Sequence, residues 1–180
     1  MTTAPRTTGL IELRLNNVGQ LFNTMDPSPF HERDLDHDAE EFIVGWAREH
    51  RAQSLEPLRL RVVLHQPPDP AVTALVQQSI GHYFAYRAEV SRRELQELLR
   101  EGRTALAIGL AFLAATLALR GLLPLQPSWC DWVREGLTIS GWVALWKPID
   151  IHLYRWWPLR AQARLQARIA ASPVEVDFQP

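Results

Sequence analysis

The chain has 180 residues, a net charge of -1 and one cysteine, with 22% charged and 47% hydrophobic residues. This composition argues against a disordered chain, a disulfide-stapled fold and a multi-thiolate zinc site. No basic block is present to neutralise phosphates, so we predict no nucleic-acid partner. Most of the acidic residues precede Thr104, whereas six of the seven tryptophans lie between Trp129 and Trp157, so the chain has a charged half and an aromatic, apolar half.

Three segments show the period-two alternation of half-buried strands. They are Leu10–Leu15, Leu58–Leu64 and, near the C-terminus, residues 174–178. Residues 1–8, before the first strand, are small and polar, which is typical of a disordered tail. An isolated five-residue strand cannot pair its backbone, so we predict that 174–178 joins a sheet with one of the other two strands.

Helix signals lie between and after the first two strands. Asp38 with Glu41 predicts a capping box and a helix that ends near His50. Its predicted inner face is Ala39, Phe42, Ile43 and Trp46. The order strand, helix, strand favours a right-handed βαβ unit, and a long antiparallel connection is the alternative. Asp69-Pro70 predicts the start of a second helix, and Ser91 to Glu94 predicts a kink in it or a further helix.

Two apolar segments in the second half predict a transmembrane hairpin. Thr104 to Leu119 contains 16 residues without a charge, which is long enough to span a bilayer with the residues after Arg120 if Arg120 snorkels. A buried helix of a soluble protein is the alternative. Gly136 to Trp146 has 11 uncharged residues and predicts a short span or a re-entrant segment. Arginine and lysine flank the hairpin on its outer ends, so the positive-inside rule predicts that both termini are cytoplasmic.

Small residues and tryptophans indicate how this hairpin packs and where it meets the membrane surface. Small residues at four-residue spacing predict the packing faces of the two membrane helices, although abundance of alanine also accounts for the first set. They are Ala107, Ala111 and Ala115 in one segment and Gly136, Ser140 and Ala144 in the other. Tryptophans at the two ends predict interfacial aromatic belts. They are Trp129 and Trp132 on one side and Trp146, Trp156 and Trp157 on the other.

We therefore predict an α+β fold: a small cytoplasmic βαβ-like domain, a two-helix transmembrane hairpin, and a C-terminal strand that joins the sheet. The predicted divisions are a disordered tail (1–8), a cytoplasmic α/β domain with a long helix leading to the membrane (9–103), the hairpin (104–157), and a cytoplasmic short helix and strand (158–180). Arginines at four-residue spacing give the short helix a basic face, which suits either anionic headgroups or solvent.

The densest polar cluster, His31 to Glu41, is a candidate for metal chemistry. Its alternating acids resemble the start of an EF-hand loop, but Ala39 and Gly45 stand where that loop needs glycine and glutamate. A looser metal site would use His31, Asp34 and His37. The alternative is a loop and helix N-terminus whose acids complement the helix dipole. The chain carries no nucleophile elbow, P-loop or dinucleotide motif, so we predict no cofactor and favour a non-enzymatic role without deciding it.

Two stretches, FNTMDPSPFHERDLDHDAEEFIVGWARE and EGLTISGWVALWKPIDIHLYRWWPLR, resemble a family of uncharacterised bacterial membrane proteins. Those proteins carry a DPSPF-containing cytoplasmic segment before a two-helix transmembrane hairpin. The resemblance covers about half of the chain. It implies a location in the bacterial inner (cytoplasmic) membrane, and it implies no activity, substrate or catalytic residue.

Two hypotheses for function follow. The first is a non-enzymatic, membrane-anchored accessory or scaffold subunit whose cytoplasmic domain binds a protein partner or a second copy of the chain. The second is a membrane-associated enzyme or metal-binding protein that uses the segment from His31 to Glu41. In both, the lipid bilayer is a partner.

Overall fold

The computed structural model describes residues 10–23, 34–51, 58–65, 70–123 and 129–179, so the predicted tail and the DPSPF segment lie outside the described residues. The regular elements are β1 (Leu10–Leu15), α1 (His37–Arg51), β2 (Arg59–Leu64), α2 (Pro70–Leu122), α3 (Trp129–Ala144), α4 (Trp146–Asp150), α5 (Trp156–Ala170) and β3 (Val174–Phe178). A 3₁₀ turn, Val18–Leu21, follows β1, and a π-helical segment, Ile151–Arg155, joins α4 to α5.

The three strands form one parallel sheet with the order β1-β2-β3. Val62 of β2 lies opposite Leu13 of β1 and Val176 of β3, so apolar side chains of all three strands share one face. The strand predictions at Leu10–Leu15 and 174–178 are confirmed, and the middle strand begins one residue later than predicted. The prediction that the C-terminal strand joins the sheet is also confirmed.

The predicted combination of a βαβ-like domain with a two-helix transmembrane hairpin is wrong. Helix α2 runs uninterrupted for 53 residues and passes through Ser91 to Glu94, where a kink or a new helix was expected. The second predicted membrane segment, Gly136 to Trp146, is interrupted at Leu145, between α3 and α4. Among the described residues, the small sheet is completed by a strand from the far end of the chain, so the described part of residues 9–103 forms no separate βαβ domain.

The chain divides into two compact units. Unit 1 comprises Met1–Val90 and Gln162–Pro180, and unit 2 comprises Ser91–Ala161. The core of unit 1 consists of fully buried apolar side chains from the sheet and from three helices. Its members include Ile11, Leu60 and Val62 from the strands, Ile43 and Ala47 from α1, Ile80 and Phe84 from α2, and Leu165 and Ile169 from α5.

Helix α1 differs from its prediction at its start and on its inner face. Asp36, not Asp38, caps the helix, because its Oδ2 accepts a hydrogen bond of 3.1 Å from the Asp38 backbone N–H. Ala39 and Ile43 are buried as predicted, whereas Phe42 and Trp46 are each 40% exposed. The buried position one turn after Ile43 is filled by Ala47, which follows the i, i+4 spacing.

A carboxylate joins α1 to α2 inside unit 1. Glu40 Oε2 accepts a hydrogen bond of 2.8 Å from the Tyr83 hydroxyl, and Glu40 Oε1 accepts one of 3.1 Å from Arg87 Nε. Burial of Tyr83, together with the hydrogen bond to Glu40 and the negative charge of Glu40, raises the pKa of this phenol well above its usual range. Burial is the largest single influence on Arg87 and would lower its pKa, but the charge of Glu40, its hydrogen bond and the nearby Tyr83 and Asp34 together raise that pKa.

Tyr83→Phe should destabilise the protein and remove part of its sensitivity to alkali. A hydrogen bond to a charged group is worth about 1.5–3 kcal/mol, which is the loss expected at neutral pH. Because the folded-state pKa of Tyr83 is raised, unfolded chains lose this proton first as the pH rises above about 10, so wild-type stability should fall there. Denaturation at pH 7 and pH 11 measures both effects. The exposed Tyr86→Phe is the control; an alkaline loss equal in wild type and Tyr83→Phe would contradict the assignment.

Candidate functional site

Helix α2 is long and apolar enough to cross a membrane, judged by its length and composition, and no other described helix meets that test. Only 11% of an apolar 18-residue stretch of this helix is buried. Large apolar side chains therefore point outward along its second half. They are Leu106, Ile108, Leu110, Phe112, Leu117, Leu119 and Leu122.

Three glycines let α2 lie very close to the segment that follows it in unit 2. A Cβ on Gly102 would stand 2.8 Å from both His152 Cε1 and Ile151 Cγ2. A Cβ on Gly109 would stand 2.9 Å from the Ala144 carbonyl oxygen, and one on Gly141 would stand 2.6 Å from Thr116 Oγ1. Real Cβ atoms do not approach so closely, so each contact depends on the missing side chain.

Pro148 explains why the second apolar segment is not one helix. Proline has no N–H to donate to the carbonyl four residues earlier, which is that of Ala144, and its ring collides with that carbonyl. Helix α3 ends at Ala144, and Leu145 forms the turn into α4. The Ala144 carbonyl oxygen, which cannot accept a bond from Pro148, is the one that lies against Gly109.

The π-helical segment is held by side chains on both sides of it. His152 Nδ1–H donates to the Pro148 carbonyl at 2.8 Å, because a carbonyl oxygen can only accept. Trp156 Nε1–H donates to the His152 carbonyl at 2.8 Å, and the Arg160 guanidinium lies 5.5 Å from the centre of the Trp156 ring. Short π-helical segments are frequently found at functional sites, and this one places His152 beside α2.

An open groove of about 780 Å³ lies where α2 meets His152. Its lining carries three arginines and one glutamate, so the groove has an excess of positive charge. The lining residues are Arg93, Gln96, Glu97, Leu99, Arg100, Arg103 and His152. We name this feature the arginine groove. Guanidinium groups bind carboxylate and phosphate oxygens through two parallel hydrogen bonds, so the groove is suited to an oxyanion.

Glu101, which follows Arg100 in α2, is paired with a lysine. Lys147 Nζ lies 2.8 Å from Glu101 Oε1. The hydrogen bond from Lys147 and its charge, with a smaller contribution from Arg155, hold the pKa of the Glu101 carboxyl below its usual range. Glu101 therefore stays ionised, and Lys147 offsets its negative charge beside Arg100 and Arg103.

A second, smaller groove of about 360 Å³ lies near the far end of α2 and has a different charge. It contains Arg120 and Arg134 with Asp131 and Glu135, so its charges balance. Arg134 Nη1 lies 3.9 Å from Asp131 Oδ1. This groove is therefore less suited to an anion than the arginine groove.

The predicted packing stripes are not the faces that pack. Ala107, Ala111 and Ala115 are exposed, as are Gly136 and Ser140, and Ala144 is half-buried. A Cβ on Gly136 would meet nothing within 4 Å, in contrast to one on Gly109 or Gly141. Ala144 takes part through its carbonyl against Gly109. The two helices meet on a face that is offset from both stripes, because the closest approach is made by glycine and not by alanine.

The predicted interfacial tryptophans are at the surface. Trp129, Trp132, Trp146 and Trp157 are each more than 60% exposed, and Trp156 is half-buried by its bond to His152 and its contact with Arg160.

The thiol of Cys130, by contrast, is completely buried. The basic helix predicted after Pro158 belongs to α5, where Leu165 and Ile169 are part of the core of unit 1.

The candidate metal ligands do not come together within the described residues. His31 lies outside them, and no group of three or more potential ligands occurs among those that are described. The Asp34 carbonyl accepts a hydrogen bond of 2.9 Å from the Asn23 N–H, and Asp36 caps α1. The acids of this segment that the structure describes therefore include residues with structural roles.

Sequence analysis missed the arginine groove and the glycine contacts. Arg100 and Arg103 entered it only as part of a charge count, although their three-residue spacing places them on one helix face. A glycine inside an apolar helix costs about 1 kcal/mol relative to alanine, which was a signal for close packing at Gly102 and Gly109.

No protein-family model matches the chain, and comparisons with curated proteins and with solved structures find no match either.

Proposed function

We propose that this chain is a membrane-anchored accessory or scaffold subunit of the bacterial inner membrane, which binds a protein partner through unit 1. The observation that carries this proposal is the exposed apolar half of α2. A soluble monomer rarely exposes so many large apolar side chains on one helix. A bilayer would cover them, and a helix leaves no backbone group unpaired in the hydrocarbon.

Further features of unit 2 agree with a lipid environment. The hydroxyls of Thr104, Thr116 and Thr138 each donate to a carbonyl one turn earlier in their own helix, at 2.9–3.1 Å. Such internal bonds satisfy these three hydroxyl donors within their own helices. Exposed tryptophans at both ends of α3 are typical of membrane interfaces.

Both termini are cytoplasmic in this proposal. The pairing of β3 with β2 supports this, because it puts the C-terminal strand in the same sheet as β1 and β2. The arginines at 92, 93, 100 and 103 precede the apolar half of α2, and the positive-inside rule assigns that end to the cytoplasm.

Ile108→Arg and Phe112→Arg distinguish lipid from water around α2. Both side chains are exposed, at 65% and 47%, so in water either change should alter stability by less than about 0.5 kcal/mol. In a bilayer each arginine should oppose insertion by about 2.5–3.5 kcal/mol and shift the protein out of the carbonate-resistant membrane fraction. Tyr86→Arg, on the same helix and 59% exposed, is the control. If all three variants fractionate as wild type does, α2 is not in the membrane.

Binding of a partner is tested separately in native membranes. A photo-crosslinking amino acid at Tyr86 or Phe178, both exposed in unit 1, should yield a discrete protein adduct. An adduct of twice the chain mass would identify a second copy as the partner, and absence of any protein adduct at both positions would contradict partner binding through this surface. The alternative of an enzyme or metal protein that uses His31 to Glu41 is favoured by no contact among the described residues.

A further inference from the structure

We propose that the arginine groove binds the phosphate of one anionic phospholipid of the cytoplasmic leaflet, through Arg100 and Arg103. This inference rests on the proposed insertion of α2 and goes beyond it, because anchoring by an apolar helix needs no lipid of particular charge. It makes the part of α2 just before its apolar half a specific lipid-binding site.

The position of the groove along α2 matches the depth of lipid phosphates. The apolar run begins at Thr104, directly after Arg103. With a rise of about 1.5 Å per residue, Arg100 stands about 6 Å before Thr104 and Arg93 about 16 Å before it. The headgroup layer on each side of a bilayer is about 5–8 Å thick. Arg100 and Arg103 therefore lie within that layer, and Arg93 lies beyond it when the helix stands upright.

The charges around the groove favour an anion over a zwitterion. Glu97 is the acid of the lining, against three arginines, and Glu101 on the adjoining face is paired with Lys147 at 2.8 Å. Arg100 and Arg103 are both exposed side chains, so their guanidinium groups are accessible to a ligand. The cation of a choline headgroup would meet this positive surface, whereas the phosphate of phosphatidylglycerol would be left free to pair with it.

The same helix face offers a surface for the acyl chains. Residues 100, 103, 107 and 111 follow one another at three- and four-residue spacing, so Ala107 and Ala111 continue the face of the two arginines into the apolar half of α2. Both alanines are exposed, and Gly102 and Gly109 pack on a different face. The exposed alanines would therefore face the acyl chains.

The test is native mass spectrometry of the full chain in neutral detergent, titrated with phosphatidylglycerol or phosphatidylcholine. Wild type should bind one phosphatidylglycerol more tightly than phosphatidylcholine. Arg100→Gln with Arg103→Gln should weaken phosphatidylglycerol binding by about tenfold or more, given the attraction of a basic residue near the headgroups. Arg48→Gln with Arg59→Gln removes the same charge at exposed positions of unit 1 that do not line the arginine groove, and it should weaken binding by less than about threefold. Lysine at 100 and 103 should retain part of the affinity.

If the two double glutamine variants lose the same amount of phosphatidylglycerol affinity, the effect is one of net charge and the proposed site is wrong. The site is also wrong if neither variant loses affinity. Inorganic phosphate at 10 mM should not displace the lipid, because it has no acyl chains to lie on α2; displacement would assign the groove to a free anion and overturn the lipid as ligand. If the protein stays in the carbonate-resistant fraction while both pairs bind lipid equally, only this inference fails. If wild type leaves that fraction, the proposed anchoring fails.

Discussion

Gly109→Ala is expected to lower the stability of unit 2 by about 1–3 kcal/mol, which is the usual effect of forcing an extra carbon into a packed site. The added Cβ would stand 2.9 Å from the Ala144 carbonyl oxygen and 3.0 Å from Leu145 Cδ2. The first of these is a backbone atom, so it cannot move aside without shifting α3 itself. Alanine also favours a helix over glycine by about 1 kcal/mol, and the clash must outweigh that gain.

Gly141→Ala should act in the same direction with a smaller effect, because its nearest neighbours, Thr116 Oγ1 and Leu113 Cδ1, belong to side chains. Gly136→Ala is the matched control: it is the same substitution in α3, the helix that contains Gly141, with nothing within 4 Å of the new carbon. It should be neutral or stabilise the helix by up to about 1 kcal/mol. Unfolding by denaturing detergent in mixed micelles measures all three. Equal stabilities for Gly109→Ala and Gly136→Ala would contradict the close contact.

Deletion of residues 173–180 is expected to abolish the protease resistance of unit 1. Strand β3 covers one edge of β2: Leu60 N–H donates to the Pro173 carbonyl and Gln179 N–H donates to the Leu64 carbonyl, both at 3.0 Å. From α2, Gln77 Nε2 also donates to the Val174 carbonyl at 2.8 Å. Without β3 only a pair of parallel strands would remain, and a two-stranded sheet is marginally stable at best in water.

A pair of proline substitutions tests the same strand without removing it. The Pro173 carbonyl and the Gln179 N–H both bond to β2. Because the backbone groups of alternate residues in a strand point to the same side, those of Asp177 also face β2, and those of Phe178 face the open edge of the sheet. Asp177→Pro should therefore cost about 1–3 kcal/mol, as a buried acceptor loses its donor, and Phe178→Pro much less. Asp177→Asn controls for the ion pair with Arg61. Limited trypsin digestion should show rapid cleavage in the deletion and in Asp177→Pro, and a stable unit 1 in either would contradict the pairing.

The strands were predictable because alternation is a local property of the sequence. Residues 11–15 of β1 and the whole of β3 show it, and each strand needs a partner to satisfy its backbone. The order β1-β2-β3 and the parallel direction depend on contacts between distant residues, and no local pattern carries them. The start of α2 at Pro70 followed from a proline suited to the first helical turn.

The helix faces of unit 2 were not predictable from small residues alone. Alanine and glycine both count as small, but only glycine permits a carbonyl oxygen at the distance seen between Ala144 and Gly109. The division of the second apolar segment was predictable in part, because Pro148 cannot continue a helix without a break. The π-helical segment and the place of His152 beside Gly102 depend on the packing of α2 and have no local signature.

The most direct measurement of the central claim is the environment of α2 at two positions along one helix. A spin label is placed at Ile108 or at Tyr86, both exposed, in the Cys130→Ser background of the full chain in lipid vesicles. If α2 anchors the protein, the label at Ile108 should collide readily with oxygen and poorly with a water-soluble nickel chelate, and the label at Tyr86 should show the reverse. Equal, water-like accessibility of both labels to the nickel chelate would contradict membrane anchoring by α2.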